Sequence, residues 1–361
     1  MDGPSHLFAV VLAGGTGTRL WPRSRRERPK QLLPIFSKRT MLQETCDRIR
    51  PVVPANHIFV ITNEGYVGPA REQLPDLPPQ NIIGEPDGHG TAPAIGLGAL
   101  HIGKIDSHAV MISLHADHYI ARADGFRAAV LNAAGMASEG YLVTLGIQPA
   151  TPETGYGYIR RGELVATLGE QPVYRVAQFL EKPDLTQAHK FLASGEYYWN
   201  SGIFAWRLST LWEEFGLYQP RLREQLLNIG GEMGTEEYDA NLRRVWGGIA
   251  TETIDIGIME KSQRITVLPI DVGWSDVGNW ATLLDLLPAD PRANVVVGEH
   301  VGVDTGSSLL YSSGRLIATV GLSDMIVVDT DDALLICPKD RAQEVKHLVE
   351  ALRKDNKVKY L

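Results

Sequence analysis

Residues Leu7 to Leu12 read LFAVVL, a short, β-branched run unbroken by charge, and they pass straight into the turn AGGTGTR. A run with no polar face suits a strand buried on both sides, as in a parallel sheet covered by helices. Similar runs recur at Ile58 to Thr62 (IFVIT), Ala109 to Leu114 (AVMISL) and Tyr141 to Ile147 (YLVTLGI). Ala-rich or amphipathic helical stretches separate them, Phe126 to Ala137 among these. Alternating strand and helix implies right-handed crossovers and a doubly wound α/β sheet, mostly parallel and Rossmann-like. From Gly155 to Glu181 the period shortens and turns appear, which predicts an inserted antiparallel hairpin. Helical periodicity returns over Thr186 to Ser194 and Leu208 to Leu227.

The chain has 361 residues, which at roughly 100 to 200 residues per domain calls for about two domains or one large one with an appendage. Composition shifts after Pro288: Asn294 to Asp329 is rich in Val, Gly, Ser and Thr, with short strands between turns. We therefore expect residues 1–288 to form one domain and residues 289–361 a small β-rich, β-helix-like one. The latter closes in an amphipathic helix over Lys339 to Arg353, apolar at Val345, Leu348, Val349 and Leu352. With 35 Lys and Arg against 43 Asp and Glu, the net charge is −8. That balance argues against a non-specific grip on nucleic acid, although it permits a local basic pocket. Cys46 and Cys337 are the only thiols, too few for a disulfide framework or a four-thiolate zinc site, and they suit a reducing cytoplasm. Nothing approaches the ~18 to 20 apolar residues of a membrane span, and Met1 to Ala13 lacks the cationic start of a leader, so no membrane partner is expected.

Gly14, Gly15 and Gly17, then Thr18 and Arg19, follow the first strand. A sharp glycine turn there exposes backbone N–H groups and admits a ligand closely, the way phosphates are cradled. GGTGTRL has neither the Lys-Ser/Thr ending of a P-loop nor a GxGxxG spacing, and a plain turn would read the same. The cations downstream shift the reading. Arg19, Arg23, Arg25, Arg26, Arg28 and Lys30 crowd one short stretch of an acidic protein, which points to a polyanion site. Pro22 and Pro29 limit its freedom.

The stretch LAGGTGTRLWPRSRRERPKQLLPI resembles the signature of the sugar-nucleotide pyrophosphorylases, in the form carried by mannose-1-phosphate guanylyltransferases. That resemblance implies that Leu12, Ala13, Gly14, Gly15, Gly17 and Thr18 wrap the nucleotide while Arg19 and Lys30 neutralise its triphosphate. It extends through GEPDGHGTAPAIGLGAL, where Glu85, Pro86 and Thr91 would meet base or ribose; Gly88-His89-Gly90 departs from the family's usual polar or basic residue, which bears on base preference. Asp117 follows the run AVMISL at a strand's carboxyl end, where open α/β sheets bind ligands, and a carboxylate there suits Mg²⁺. His115 and His118 flank it and offer a zinc alternative. The resemblance supplies Asp276, in VGWSDVGNW, as the second Mg²⁺ ligand. It also assigns the sugar side: Gly155 allowing close approach, Glu181 accepting from hydroxyls, Lys182 holding the sugar phosphate, and Asn200 reading a hydroxyl, with Asp255 and Glu260 nearby. The segment from Met325 resembles the family's β-helical tail, and the chain stops where longer relatives continue into an isomerase domain, so isomerase activity is not expected. A homodimer is implied by analogy.

The implied reaction transfers GMP from GTP to mannose 1-phosphate, giving GDP-mannose and pyrophosphate, with Mg²⁺ and without a covalent intermediate. Its rivals are another sugar 1-phosphate and nucleotide pair, a non-catalytic nucleotide-sugar sensor and, more remotely, a Rossmann dehydrogenase.

Overall fold

The structure is a computed structural model, and it describes residues 6–15 and 17–361. Nine strands make the principal sheet: β1 Leu7–Ala13, β2 Ile58–Asn63, β3 Ile82–Glu85, β4 Val110–His115, β5 Leu142–Ile147, β6 Tyr158–Leu168, β7 Gln171–Leu180, β8 Tyr197–Arg207 and β9 Ile265–Ile270. They lie in the order β3-β2-β1-β4-β8-β5-β9-β7-β6, with β8 also pairing β6. Within it β8 runs antiparallel to β4, β5 and β6, and β7 antiparallel to β9 and β6, while β1 is parallel to β2 and β4, and β5 to β9. Seven strands thus share one direction, as a doubly wound sheet requires. β1 is buried throughout, as its unbroken apolar run predicts.

The predicted hairpin is present, with β6 and β7 joined across Gly169 and Glu170. It does not stand apart as an insertion: both strands hydrogen-bond into the sheet. The helical stretch from Leu208 divides into Leu208–Tyr218 and Pro220–Gly231, because Pro220 lacks the N–H that a continuing helix would use and instead opens the second helix.

By packing, the chain divides into two compact units. The first holds Met1–Gly14, Thr45–Ala116 and Ile120–Trp274; the second holds Gly15–Glu44, Asp117–Tyr119 and Ser275–Leu361. The second unit has its own core, in which Leu20, Trp21, Leu33, Ile35 and Met41 pack with Trp280, Leu283, Leu309, Ile326, Val328, Val345 and Val349. Its strands Val295–Val297, Leu309–Ser312 and Met325–Asp329 stack in parallel, and Leu334–Pro338 closes the stack antiparallel. Val295 pairs with Leu309 and Leu309 with Ile326, so successive coils differ in length, which is why no fixed period is visible. His300–Val303 and Ile317–Val320 form a second parallel face. The terminal helix begins at Val345, after a 3₁₀ segment over Lys339–Glu344. Among the described residues no helix is long and apolar enough to cross a membrane.

Candidate active site

The second unit collects the predicted phosphate and metal residues. Gly17 adopts a left-handed conformation, φ 60°, and caps the short turn Thr18–Leu20. A Cβ there would lie 2.4 Å from Lys30 Cβ, so only glycine lets the turn close against Lys30. Lys30 is buried, at 5% exposure. Its Nζ donates to Asp117 Oδ2 at 3.0 Å and to the Asp276 backbone oxygen at 2.7 Å. An ammonium has three N–H groups and no acceptor, so among the described residues one N–H is left over. Asp276 is followed by Val277, fully buried with φ 51°, a left-handed conformation that a β-branched residue adopts only under strain. A Cβ on Gly278 would lie 3.1 Å from Asp276 Oδ2 and 3.5 Å from Arg19 Nη1, so both side chains flank this glycine. Arg19 is exposed, and no carboxylate among the described residues pairs with it. Thr18 opens this turn, and Gly15 is exposed beyond the end of β1.

The first unit holds the residues predicted for the base. Leu12 and Ala13 end β1, where the Leu12 oxygen accepts from Ala116 N at 2.9 Å and the Ala13 oxygen from Thr62 Oγ1 at 2.9 Å. At the end of β3, Glu85 is buried, and a Cβ on Gly14 would sit 3.3 Å from its Oε2. Glu85 Oε1 meets no donor among the described residues, and burial pushes its carboxyl up to about 8. Pro86 follows, partly buried. Thr91 begins the helix Thr91–Ile105, and its Oγ1 accepts from Ile254 N at 2.9 Å; the hydroxyl predicted for the nucleotide therefore also fastens 252–254 to the helix start. The departing His89 turns the edge of its ring to Trp246, 6.1 Å between centroids.

The residues predicted for the sugar cluster elsewhere in this unit. Asn200, on β8, donates through Nδ2 to Asp255 Oδ1 at 2.7 Å, while its Oδ1 accepts from Gly202 N at 3.0 Å and Thr144 Oγ1 at 3.3 Å. Its acceptor is thus used internally, and what it can offer a sugar is its second Nδ2 hydrogen. Asp255 opens the π-helical turn Asp255–Met259, a local irregularity common at functional sites. Burial raises its carboxyl to about 6, and the neighbouring Glu181 adds to the rise. Glu181 Oε2 has no donor among the described residues, while Oε1 pairs with Lys182 Nζ. Lys182 holds φ 50°, and Glu260 Oε1 accepts from Glu181 N at 2.8 Å, pinning this turn. Gly155 is exposed with nothing within 4 Å of an added Cβ, whereas one on Gly157 would lie 2.5 Å from Glu181 Oε2 and 3.1 Å from Asn200 Cβ. The space beside Gly155 is open, and the tight packing against Glu181 and Asn200 lies two residues later, at Gly157. Alternation along the strand could have located it, since Gly157 adjoins β6 and its oxygen accepts from Asn200 N at 2.8 Å. Tyr156 sets its ring against Trp199 and Trp274, 5.1 and 5.5 Å away.

Comparisons with known proteins place the chain in a family. A family model described as nucleotidyl transferase matches residues 8–292, and one described as a mannoseP isomerase/GMP-like β-helix domain matches residues 298–352. The chain is 42% identical to a mannose-1-phosphate guanylyltransferase of Escherichia coli K12, over 98% of this chain and 75% of that protein. It is also 42% identical to a xanthan biosynthesis protein of Xanthomonas campestris, over 97% and 74%. A crystal structure described as mannose-1-phosphate geranyltransferase from Thermus thermophilus superposes with a TM-score of 0.88 at 35% identity, covering 96% of this chain and 99% of that one. A mannose-6-phosphate isomerase structure from Helicobacter pylori shares the fold, with a TM-score of 0.61 at 23% identity over 75% of this chain and 99% of that one. The chain belongs to the nucleotidyl transferase family, among its mannose-1-phosphate guanylyltransferases.

Proposed function

We propose that this enzyme transfers GMP from GTP to mannose 1-phosphate, forming GDP-mannose and pyrophosphate. The observation that carries the reading is the convergence of Lys30 on the Asp117 carboxylate and the Asp276 backbone oxygen, which joins three segments remote in sequence around one buried cation suited to phosphate.

A phosphate oxygen of mannose 1-phosphate attacks the α-phosphorus of GTP. A new P–O bond forms, the bond from the α-phosphorus to the bridging oxygen breaks, and pyrophosphate leaves with its electron pair. The nucleophile is already an anion, so no general base is needed, and rate comes from in-line positioning and charge neutralisation. Arg19, exposed beside Asp276, and the remaining N–H of Lys30 stabilise the departing pyrophosphate. Lys182 orients the attacking phosphate. Leu12, Ala13, Gly14, Gly15, Gly17 and Thr18 line the nucleotide's path. The carboxylates of Asp117 and Asp276 fit Mg²⁺, a hard ion held by one or two carboxylates plus phosphate oxygens, which when bound would neutralise charge on the transferring phosphates.

Glu85 supports guanine as the base. Once ionised, its carboxylate can accept two parallel hydrogen bonds, and guanine presents N1–H and its amino group side by side, whereas adenine and uracil do not present that pair of donors. Pro86 and Thr91 border it. On the sugar side, Glu181 and Asp255 accept from hydroxyls, with Asn200 and Gly157 fixing their positions. The domains are residues 1–288 for nucleotidyl transfer and 289–361 for the β-rich tail, the former lending Gly15–Glu44 to the second packing unit. A cytoplasmic homodimer without nucleic-acid or membrane partners completes the proposal.

Mg²⁺-dependent pyrophosphate release tests it, with GTP, UTP and ATP each offered mannose 1-phosphate and glucose 1-phosphate. The GTP and mannose 1-phosphate pair should dominate. A different preferred pair would move the specificity, and no release with any pair would leave a sensor. Lys182→Ala should raise KM for mannose 1-phosphate with KM for GTP unchanged; an unaltered KM for the sugar phosphate would remove Lys182 from its role.

A further inference from the structure

The cations after the glycine turn do not all serve the phosphate cluster. Arg19 and Lys30 join Asp117 and Asp276, whereas Arg23, Arg25, Arg26 and Arg28 line two adjoining cavities elsewhere in the second unit. The larger, about 770 Å³, is bounded by Thr18, Trp21, Ser24, Arg25 and Arg26 on one side and by Val349, Arg353, Val358 and Leu361 on the other, with Glu27 its single acid. The smaller, about 510 Å³, adds Arg23, Arg28 and Lys359 against Asp331 and Asp332. Together they gather six cations against three acids in a chain of net charge −8.

This wall is built and not merely a solvated loop. Arg25 Nη2 donates to Asp332 Oδ1 at 2.8 Å and its Nε to the Pro22 oxygen at 2.7 Å, which sets its guanidinium 5.5 Å from the Trp21 ring centroid. Trp21 Nε1 donates to the Tyr360 oxygen at 2.7 Å, fastening the C-terminal segment as the opposite wall. Arg23 lies over the Tyr311 ring at 4.9 Å, with Nε buried and without an acceptor among the described residues.

We propose that this cavity is a second ligand site, separate from the phosphate cluster, and that it takes a nucleotide. Three arginines around 770 Å³ suit phosphate oxygens. The volume is that of a small-molecule pocket, and the apolar side formed by Trp21, Val349, Val358 and Leu361 suits a base and ribose better than a bare anion. The site is also wired to the catalytic turn. Thr18 lines it, and Ser24, in the same wall, donates from Oγ to the Gly17 oxygen at 2.5 Å. A nucleotide here acts on the turn that carries Arg19, and coupling of this kind is reciprocal.

GDP is the probe, titrated calorimetrically into the full chain. The wild-type chain should bind two GDP per chain, while Arg353→Glu and Val358→Asp, two exposed positions outside the catalytic machinery, should each bind one. Basal turnover should stay within twofold of wild type in both. GDP should inhibit the wild-type enzyme with a component that saturating GTP does not relieve, and both variants should lose it. One GDP per chain, unchanged in the variants, overturns the proposal. Displacement of the second GDP by equimolar inorganic phosphate overturns the nucleotide assignment. Because turnover is read separately, failure of this site is distinguishable from failure of the proposed reaction.

Discussion

The phosphate cluster and the base and sugar pockets balance their charges in opposite ways. In the second unit, buried Lys30 is matched by Asp117 and a carbonyl, so the cluster is compensated before any phosphate arrives. In the first unit, Glu85 and Glu181 each keep a buried carboxylate oxygen without a donor, and Glu85 and Asp255 hold their protons to about 8 and about 6. The difference fits the ligands proposed for each region. Phosphates bring negative charge to a cation that needs a resting partner, since an unpaired buried charge is costly. Sugar hydroxyls and a guanine edge bring donors, so a pocket short of donors is complementary to them.

The largest effect should come from the compensated side. Asp276→Asn removes a metal-binding charge but leaves the backbone oxygen that holds Lys30. Turnover should fall on the order of 10² to 10³ with melting temperature little changed. Equal loss of both would mean that Asp276 supports the fold and not the reaction.

Glu85→Gln addresses the uncompensated side. A lost charged hydrogen bond should cut discrimination for GTP over ATP by roughly 10- to 100-fold. With a carboxyl at about 8, GDP binding at pH 7 should release up to about one proton per chain if guanine ionises Glu85, and the variant should release none. The stability effect has a definite sign. The folded value lies above the unfolded one, so wild type loses stability from about pH 4.5 to about pH 8. The Gln variant should gain on it by up to about 1.4 kcal/mol per pH unit in that window. Parallel stability curves would place Glu85 in a wetter setting.

Asp255 sharpens the comparison by degree, because Asn200 donates to it and its rise is smaller. Ionised at pH 7.5, it becomes a poorer acceptor as pH falls through about 6. KM for mannose 1-phosphate should rise roughly tenfold by pH 5, and Asp255→Asn should flatten that limb. A KM that stays level to pH 5 in wild type would take Asp255 out of sugar binding.

Much of this was legible in residue order. The apolar run of β1 announced a covered parallel sheet, and the crowd of cations from Arg19 to Lys30 beside the glycine turn pointed to a polyanion site. Pairing was not: nothing in the periods of β8 or of the hairpin says that they enter the principal sheet, because alternation specifies a face and not a neighbour. Nor could order reveal that Gly15–Glu44 shares a core with the C-terminal coils, since Trp21 and Trp280 are apolar in any packing. Asp117 and Asp276 were brought together only by resemblance, and the link through Lys30 depends on a buried ammonium that no local pattern marks.

Gly157→Ala is the smallest perturbation and the most local test of the donor-poor pocket. The added methyl would lie 2.5 Å from Glu181 Oε2, too close to coexist, and the carboxylate is the part able to move. Displacing it sacrifices about one hydrogen bond to the sugar, roughly 1 kcal/mol, so KM for mannose 1-phosphate should rise about fivefold while KM for GTP and the melting temperature hold. Gly155→Ala, with open space around it, is the matched control and should change neither constant. If the two alanines behave alike, the approach of Glu181 to Gly157 does not shape the pocket, and the contrast between donor-poor and self-compensated regions would rest on Glu85 and Asp255 alone.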